Sequence, residues 1–274
     1  MCFEPTDSFS RDGYLCLSDE SGSLLTAIDR TIVQRAGSER CQHYVAPSII
    51  SGAVLAKCGY FESHPHHLHV VGQISAEGRA AVTRGEKLTG PMLEHHDLFL
   101  TPAACLHIYP TLATKDIGDG IVITSNVRVF RAEDGNYRPL IRQRDFTVRE
   151  FVLVGSKDFV VGQLEAFRGL ALDLARSVNP GATLEAASDH FYATKVNAIK
   201  EKIQLRNALK HELRIQIDDQ PVAVASFNFH HHHFSRAFGF DRGGAVVTGC
   251  VGFGLERWIA ATMASPGSAS VFTN

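Results

Sequence analysis

The sequence predicts an α+β fold, an antiparallel sheet with helices segregated around it, and three observations carry that expectation. Short β-rich runs dominate from Asp97 onward. A polar, turn-rich stretch joins two of these runs in the manner of a hairpin. The amphipathic helical periodicities stand apart from the strands instead of alternating with them one by one.

Taken in order, residues 23–35 place Leu24, Leu25, Ile28, Ile32 and Val33 at helical spacing. Tyr44-Val45-Ala46-Pro47 reads as an extended entry and residues 49–60 as a short helix. Pro65 excludes a regular helix interior across residues 63–69, which hold His64, His66, His67 and His69 and read as a turn or loop. Residues 98–109, 120–130 and 141–154 each suit a strand. The loop between the last two, Asp134-Gly135-Asn136-Tyr137-Arg138-Pro139, is the hairpin connection. Residues 160–177 form an amphipathic helix that Asn179-Pro180-Gly181 closes, and residues 194–209 form another. Strand texture returns at 213–217, 222–229 and 245–251, and a final helix begins near Trp258. Neither a repeat nor a linker divides the chain, so a single domain over residues 1–274 is expected, with a helical insertion at about 160–210.

The 274 residues, 45% of them hydrophobic, can bury a sizeable core. A net charge of −2 argues against a polynucleotide partner. The six cysteines (Cys2, Cys16, Cys41, Cys58, Cys105, Cys250) show no close-spaced disulfide framework, which points to a reducing compartment with room for a metal site. Glu4 and Asp7 are foreign to a signal peptide, and no run approaches the ~18 apolar residues of a membrane span. A cytoplasmic protein that meets no membrane is the expectation.

Two segments carry chemistry. Arg131 and Glu133, two apart on an expected strand, share a face: a guanidinium fork suits phosphate oxygens and a carboxylate accepts from an exocyclic amine, although an exposed ion pair would look the same. Downstream, Gly249-Cys250-Val251-Gly252-Phe253-Gly254-Leu255-Glu256-Arg257 packs a thiol, three glycines and a fixed cation into a strand-to-helix junction, a pattern that also serves as an ordinary packing corner.

Phe130-Arg131-Ala132-Glu133 with Arg142-Gln143-Arg144-Asp145-Phe146 resembles motif 2 of class II aminoacyl-tRNA synthetases, and Gly252-Phe253-Gly254-Leu255-Glu256-Arg257 resembles their motif 3. Pro47 stands where the motif 1 proline of their dimer interface would fall. Within that superfamily the chain is most similar to seryl-tRNA synthetases. Ala104-Cys105-Leu106 lies at their serine-recognition strand, with Cys105 in place of a glutamate. Phe146-Thr147-Val148-Arg149-Glu150 resembles their Phe-x-x-x-Glu, and Ala223-Val224-Ala225-Ser226-Phe227-Asn228 the ATP-side strand. Cys105, Glu150 and Cys250 match the Cys-Glu-Cys zinc site of the methanogen-type enzymes and of their shortened homologues, the amino acid:[carrier protein] ligases. Two thiolates and a carboxylate with one open position suit a catalytic zinc. Barely 100 residues precede Cys105, which leaves no large tRNA-binding domain and favours the carrier-protein ligases. Residues 44–47, 59–66, 188–191 and 226–230 look like variants of segments in that family, with His64 departing from an aromatic, His190 from proline and Ser235 from glycine.

The resemblance implies a class II catalytic domain that activates a small amino acid, glycine or alanine, with ATP and Mg²⁺ and passes it to the phosphopantetheine thiol of a carrier protein. Arg131 would meet the α-phosphate and substrate carboxylate, and Glu133 the adenine amine. Phe146 and Arg257 would sandwich the adenine, with Arg257 also reaching the γ-phosphate, while Ala223, Val224, Ala225 and Ser226 would line the nucleotide. Zinc on Cys105, Glu150 and Cys250 would hold the amine. Arg168, Arg176, Lys195, Lys200, Lys202 and Arg206 could dock an acidic carrier, or form an ordinary solvated face. A homodimer and no tRNA are expected. The alternatives are a tRNA-charging enzyme, a non-catalytic synthetase paralogue and an unrelated zinc hydrolase. The run His230-His231-His232-His233 reads as a turn beside the active site or as a metal ligand set.

Overall fold

The computed structural model describes residues 8–9, 12–37, 41–133 and 135–272; Cys2, Glu4, Asp7 and Asp134 lie outside them. Strands β1 (Ser8–Phe9) and β2 (Leu15–Cys16) pair ahead of helix α1 (Asp19–Arg35). Ser18 caps α1 by accepting from the Ser21 amide at 3.3 Å, and Ile28 and Ile32 are its buried ridge. Strands β3 (Cys41–His43) and β4 (Ile49–Ser51) precede helices α2 (Gly52–Lys57) and α3 (Tyr60–Ser63). The segment 49–60 is thus a strand, two short helices and a left-handed Gly59 between them, not one helix. Strand β5 (Val70–Ile74) and helix α4 (Ala76–Thr83), unread in the sequence, are followed by β6 (Leu93–Leu100).

The main sheet comes next: β7 (Gly120–Phe130) and β8 (Asp145–Gly155), helix α5 (Lys157–Val178), β9 (Thr183–Ala187), helix α6 (Lys195–Arg206), β10 (Lys210–Ile217), β11 (Gln220–His231), helix α7 (His233–Ala237), β12 (Val247–Gly254) and helix α8 (Leu255–Ala264). Its seven strands run in the order β3-β7-β8-β12-β11-β10-β9, antiparallel except for β3 against β7, while β4-β6-β5 form a separate small sheet. Within the stretch 160–210, Val160, Leu164 and Phe167 of α5 are buried in the main core and β9 extends the sheet, while α6 lies largely exposed.

Side chains alternate between the two faces of each strand, and here that alternation separates stability from chemistry. Phe151, Leu153, Val251, Phe253, Phe227 and Leu213 face α5, α1 and α8 and form the core with Trp258. The opposite face carries two cross-strand rows: Ser125-Glu150-Gly252-Ser226-Glu212, and Ile123-Val152-Cys250-Asn228-Lys210. Glu150, Ser226, Cys250 and Gly252 all fall on this second face.

Candidate active site

Glu150 and Cys250 sit diagonally across β8 and β12, because Glu150 is opposite Gly252 and Cys250 is opposite Val152. Gly252 makes the approach possible: a Cβ there would stand 2.9 Å from Glu150 Oε2. Cys105 arrives from above the sheet. The expected strand at 98–109 ends with β6 at Leu100, and Cys105 lies instead in a 3-10 turn, Ala104–His107. Thr101 and Pro102 break the strand, and the turn lets three consecutive residues, Ala104, Cys105 and Leu106, bury against the sheet. The ligand atoms of Cys105, Glu150 and Cys250 lie within 4.8 Å of one another, and all three residues are buried.

Such a group is uncomfortable without a cation. Burial pushes Glu150 up to about 7, against a hydrogen bond from Cys250 and the charge of Arg131. Cys250 is raised well above the usual thiol value by its hydrogen bond with Cys105, by burial and by Glu150. Raised acids such as Glu150 and Cys250 exchange their protons for a divalent metal, and the soft-soft-hard donor set of the three residues fits zinc.

A second cluster of flagged residues adjoins it. A concave pocket is lined by Glu133, Ile141, Arg142, Phe146, Gly254 and Arg257 among others. Arg131 and Glu133 are not on the strand, since β7 ends at Phe130; the following residues leave the ladder, and the Ala132 amide donates to His67 O. Arg131 Nε donates to Pro102 O at 3.0 Å and its guanidinium lies 5.4 Å from the centre of the Phe146 ring. Glu133 is paired with Arg142 at 2.6 Å. The nearest charge partner of Glu133 is therefore Arg142, and Phe146 stacks under Arg131.

Arg257 is held by its backbone partners, donating through Nε to Ile141 O and through Nη1 to Ala223 O, each at 2.8 Å. Trp258 Nε1 donates to Val224 O at 3.1 Å. The register of β10 against β11 slips by one residue here, so that Leu213 faces Ala225 but Arg214 faces Ala223. The carbonyls of Ala223 and Val224 thus anchor the first turn of α8, and Val224 and Ala225 point into the core. Of the four flagged residues 223–226, Ser226 alone sits in the same cross-strand row as Glu150 and Gly252. Glu256 accepts from the Thr147 amide and from its hydroxyl at 2.8 Å, which ties α8 to β8.

The histidines divide. Pro65–His67 is a single 3-10 turn, where His66 and His67 rings lie 4.2 Å apart and His64 stacks on His67 at 5.4 Å. Burial lowers His64 to about 4 and His67 to about 2, so these two imidazoles are neutral. No metal-ligand group among the described residues includes them. In the run 230–233 each imidazole finds a different partner: His232 Nδ1 donates to Val246 O and His233 Nε2 to Cys58 O, both at 3.1 Å. His230 differs. It follows Ser226 and Asn228 on alternate positions of β11, and its Nε2 lies 3.7 Å from Cys250 Sγ. A register slip of β11 against β12 between Phe229 and His231 places it there, and no sequence spacing signalled it.

No protein-family model matches the chain. Amino acid–[acyl-carrier-protein] ligase 1 of Bradyrhizobium diazoefficiens is 30% identical over 97% of this chain and 86% of its own length. Ligase 2 of the same organism is 33% identical over 77% of this chain and 66% of its own length. The type-2 serine–tRNA ligase of Methanocaldococcus jannaschii is 26% identical over 89% of this chain, which spans half of that enzyme. Among solved structures, the M. kandleri seryl-tRNA synthetase in complex with A. aeolicus tRNASec superposes with a TM-score of 0.81 at 18% identity, over 95% of this chain and 55% of that one. A prolyl-tRNA synthetase from Cryptosporidium parvum superposes with a TM-score of 0.70 at 14% identity, over 94% of this chain and 49% of that one. The fold is that of class II aminoacyl-tRNA synthetases.

Proposed function

The chain belongs to the amino acid–[acyl-carrier-protein] ligases, and on that premise we propose that it activates glycine or alanine with ATP and transfers the aminoacyl group to a carrier-protein phosphopantetheine thiol. The observation that carries this reading is the juxtaposition of the Cys105-Glu150-Cys250 group with the pocket lined by Glu133, Phe146 and Arg257, where Arg131 lies over the Phe146 ring. Cys105, Glu150 and Cys250 would hold a zinc ion, which would supply a Lewis acid to bind the free amine of the substrate. Nothing polar is needed to read a side chain, which favours a small one.

In this reading Arg131, oriented through Nε by Pro102 and from below by Phe146, turns its fork to the α-phosphate and the substrate carboxylate. The carboxylate attacks the α-phosphorus, pyrophosphate leaves with its Mg²⁺, and no side-chain nucleophile is required. Glu133, its carboxylate fixed by Arg142, accepts from the adenine amine. Arg257 covers the base and reaches the γ-phosphate. Burial and then the Arg131 charge pull Arg257 below the usual guanidinium value, so an incoming polyphosphate relieves the strain between the two cations.

The carrier would dock on α6. Val196, Ile199 and Ile203 form an exposed stripe at helical spacing, flanked by the exposed cations Lys195, Lys202 and Arg206. Of the other flagged cations, Lys200 is tied to Ser63 and Arg168 is half-buried against Glu165 and His211, which takes it out of a docking face. A second copy would cover the apolar residues Val45, Ile49, Val70 and Ile74 left exposed near Pro47. Among the described residues no helix is long and apolar enough to cross a membrane.

ATP–pyrophosphate exchange with each small amino acid in turn tests the activation step, and radiolabel transfer to a phosphopantetheine-loaded carrier or to tRNA tests the acceptor. Exchange with glycine or alanine and transfer to the carrier are the expected results. Exchange with no amino acid, or transfer to tRNA alone, overturns the proposal.

A further inference from the structure

Tyr109 and His230 have no part in the reactions described above, yet both are built into the floor of the site. Tyr109 is fully buried, in the 3-10 turn Tyr109–Leu112 that follows the Cys105 turn. Its ring stacks on Phe234 with centroids 4.0 Å apart and planes 10° from parallel. The imidazole of His230 meets the same Phe234 edge-on at 4.9 Å. Phe234, from α7, thus fixes both rings.

Their polar ends lead to Cys250. Tyr109 Oη lies 3.4 Å from His230 Nδ1. On the other side His230 Nε2 is 3.7 Å from Cys250 Sγ, and Asn228 Nδ2 donates to the same sulfur at 3.5 Å. His230 is not a fourth ligand: the donors that all lie within 4.8 Å of one another are Cys105, Glu150 and Cys250. It stands one step outside, against a single sulfur. With the Cys250 sulfur as acceptor the chain has one consistent direction. Nε2–H points to Cys250, and Nδ1 accepts the phenolic proton of Tyr109. Groups that hold metal ligands in this way commonly set both the orientation of the ligand and the affinity of the site.

We propose that Tyr109 and His230 act together as a hydrogen-bonded strap on Cys250, positioning that sulfur for the metal. The strap rests on the zinc reading of the Cys105-Glu150-Cys250 group. It is a positioning device, since neither residue touches the nucleotide pocket. It also explains why the run 230–233 begins with a histidine that its neighbours do not resemble in contacts.

The test uses the full chain as Y109F, H230Q and the double variant. Y109F keeps the stacked ring and removes only the hydroxyl, so it remains informative if H230Q folds poorly. Zinc affinity is measured by chelator competition, and cobalt-substituted protein is examined for its sulfur-to-cobalt absorption, neither of which depends on turnover. Thermal melts of the metal-free forms report folding. Each single variant is expected to bind zinc about 10- to 100-fold more weakly, with the cobalt band shifted. The double variant is expected to be no worse than the weaker single, because one strap can be broken only once. Zinc affinity of Y109F within about twofold of the parent, or losses that multiply in the double variant, overturns the strap. A parent protein that binds no zinc overturns the zinc reading itself, and the strap with it.

Discussion

Replacing Gly252 with alanine is the sharpest perturbation of the zinc reading, because it moves one ligand and leaves the fold nearly alone. The added Cβ would stand 2.9 Å from Glu150 Oε2, where ordinary contacts begin at 3.4 Å, so the carboxylate must retreat by about 0.5 Å. Metal–ligand lengths tolerate about ±0.2 Å, so the retreat exceeds what the site can absorb. An affinity loss of about 10- to 100-fold, equivalent to about 1.4–2.7 kcal/mol, is expected. Metal-free stability should change by less than about 1 kcal/mol, because the displaced atom is the end of a side chain. Gly249→Ala is the matched control three residues earlier on β12, facing away from the site. There the Cβ would meet Asn228 O at 2.9 Å and Val160 Cγ1 at 3.0 Å, a backbone atom and a packed core side chain. It should cost about 1–3 kcal/mol of stability, with zinc affinity preserved. Chelator competition and thermal melts on both variants decide the matter. A Gly252→Ala protein that binds zinc like the parent, or a Gly249→Ala protein that loses zinc with an unchanged melt, refutes the reasoning.

Further outcomes follow from the same contacts. Arg257→Lys cannot reproduce the bonds of Nε to Ile141 and Nη1 to Ala223, and ATP–pyrophosphate exchange should fall by about 10²-fold or more; exchange at the parental rate would contradict the role given to Arg257. Because Glu150 is pushed from 4.5 to about 7, the metal-free fold favours its protonated form, so this contribution is fully present below pH 4.5 and is lost as pH rises through 7. Relative to Glu150→Gln, metal-free protein should lose up to about 3 kcal/mol over that window, read by denaturant titration at pH 4.5 and 8, and zinc should reverse the trend. Asp29→Ala strands Arg149, whose Nε and Nη2 donate to Asp29 at 2.7 and 2.6 Å, and should destabilise the protein by about 3 kcal/mol in the same assay. Lys202→Glu with Arg206→Glu should raise the KM for carrier about tenfold and leave pyrophosphate exchange unchanged; an unchanged KM would remove α6 from the docking face.

The elements that the sequence revealed best are those whose pattern is local. Helix α5 has its cap, its apolar stripe and a terminating Asn179-Pro180, and β7 and β8 flank a polar turn. Strand β5 and helix α4 were invisible because their exposed residues show neither period clearly. Cys105 illustrates a different failure. Leu98 to Tyr109 is apolar enough for a strand, but burial against β7 and β8 satisfies an apolar run equally well in consecutive 3-10 turns. Within the site, Arg131, Glu133, Glu150, Cys250 and Arg257 were legible because their motifs are contiguous. Glu133's pairing with Arg142, the cation–π contact of Arg131 with Phe146 and the bridge through Tyr109 and His230 all join residues distant in sequence or across a turn, and no spacing rule encodes them.

The slipped register on β11 shows how the two halves of the site are kept in fixed relation. In a regular antiparallel strand consecutive carbonyls point to opposite edges and the ladder consumes them. The slip near Ala223 releases two carbonyls together, and Arg257 and Trp258 take them. Arg257 is thereby immobilised before any nucleotide arrives, and the ordering of its long side chain is already complete. From Ala225 to Phe229 β11 pairs regularly with β12 and presents Ser226 and Asn228 to the Cys250 side, and a second slip between Phe229 and His231 brings His230 to the same sulfur. One strand therefore holds Arg257 at its first slip and reaches the Cys250 sulfur through Asn228 and, at its second slip, His230. A shift of β11 along its axis would disturb both at once, so losses of zinc and of ATP binding should be coupled in variants of the slip even where neither ligand is touched.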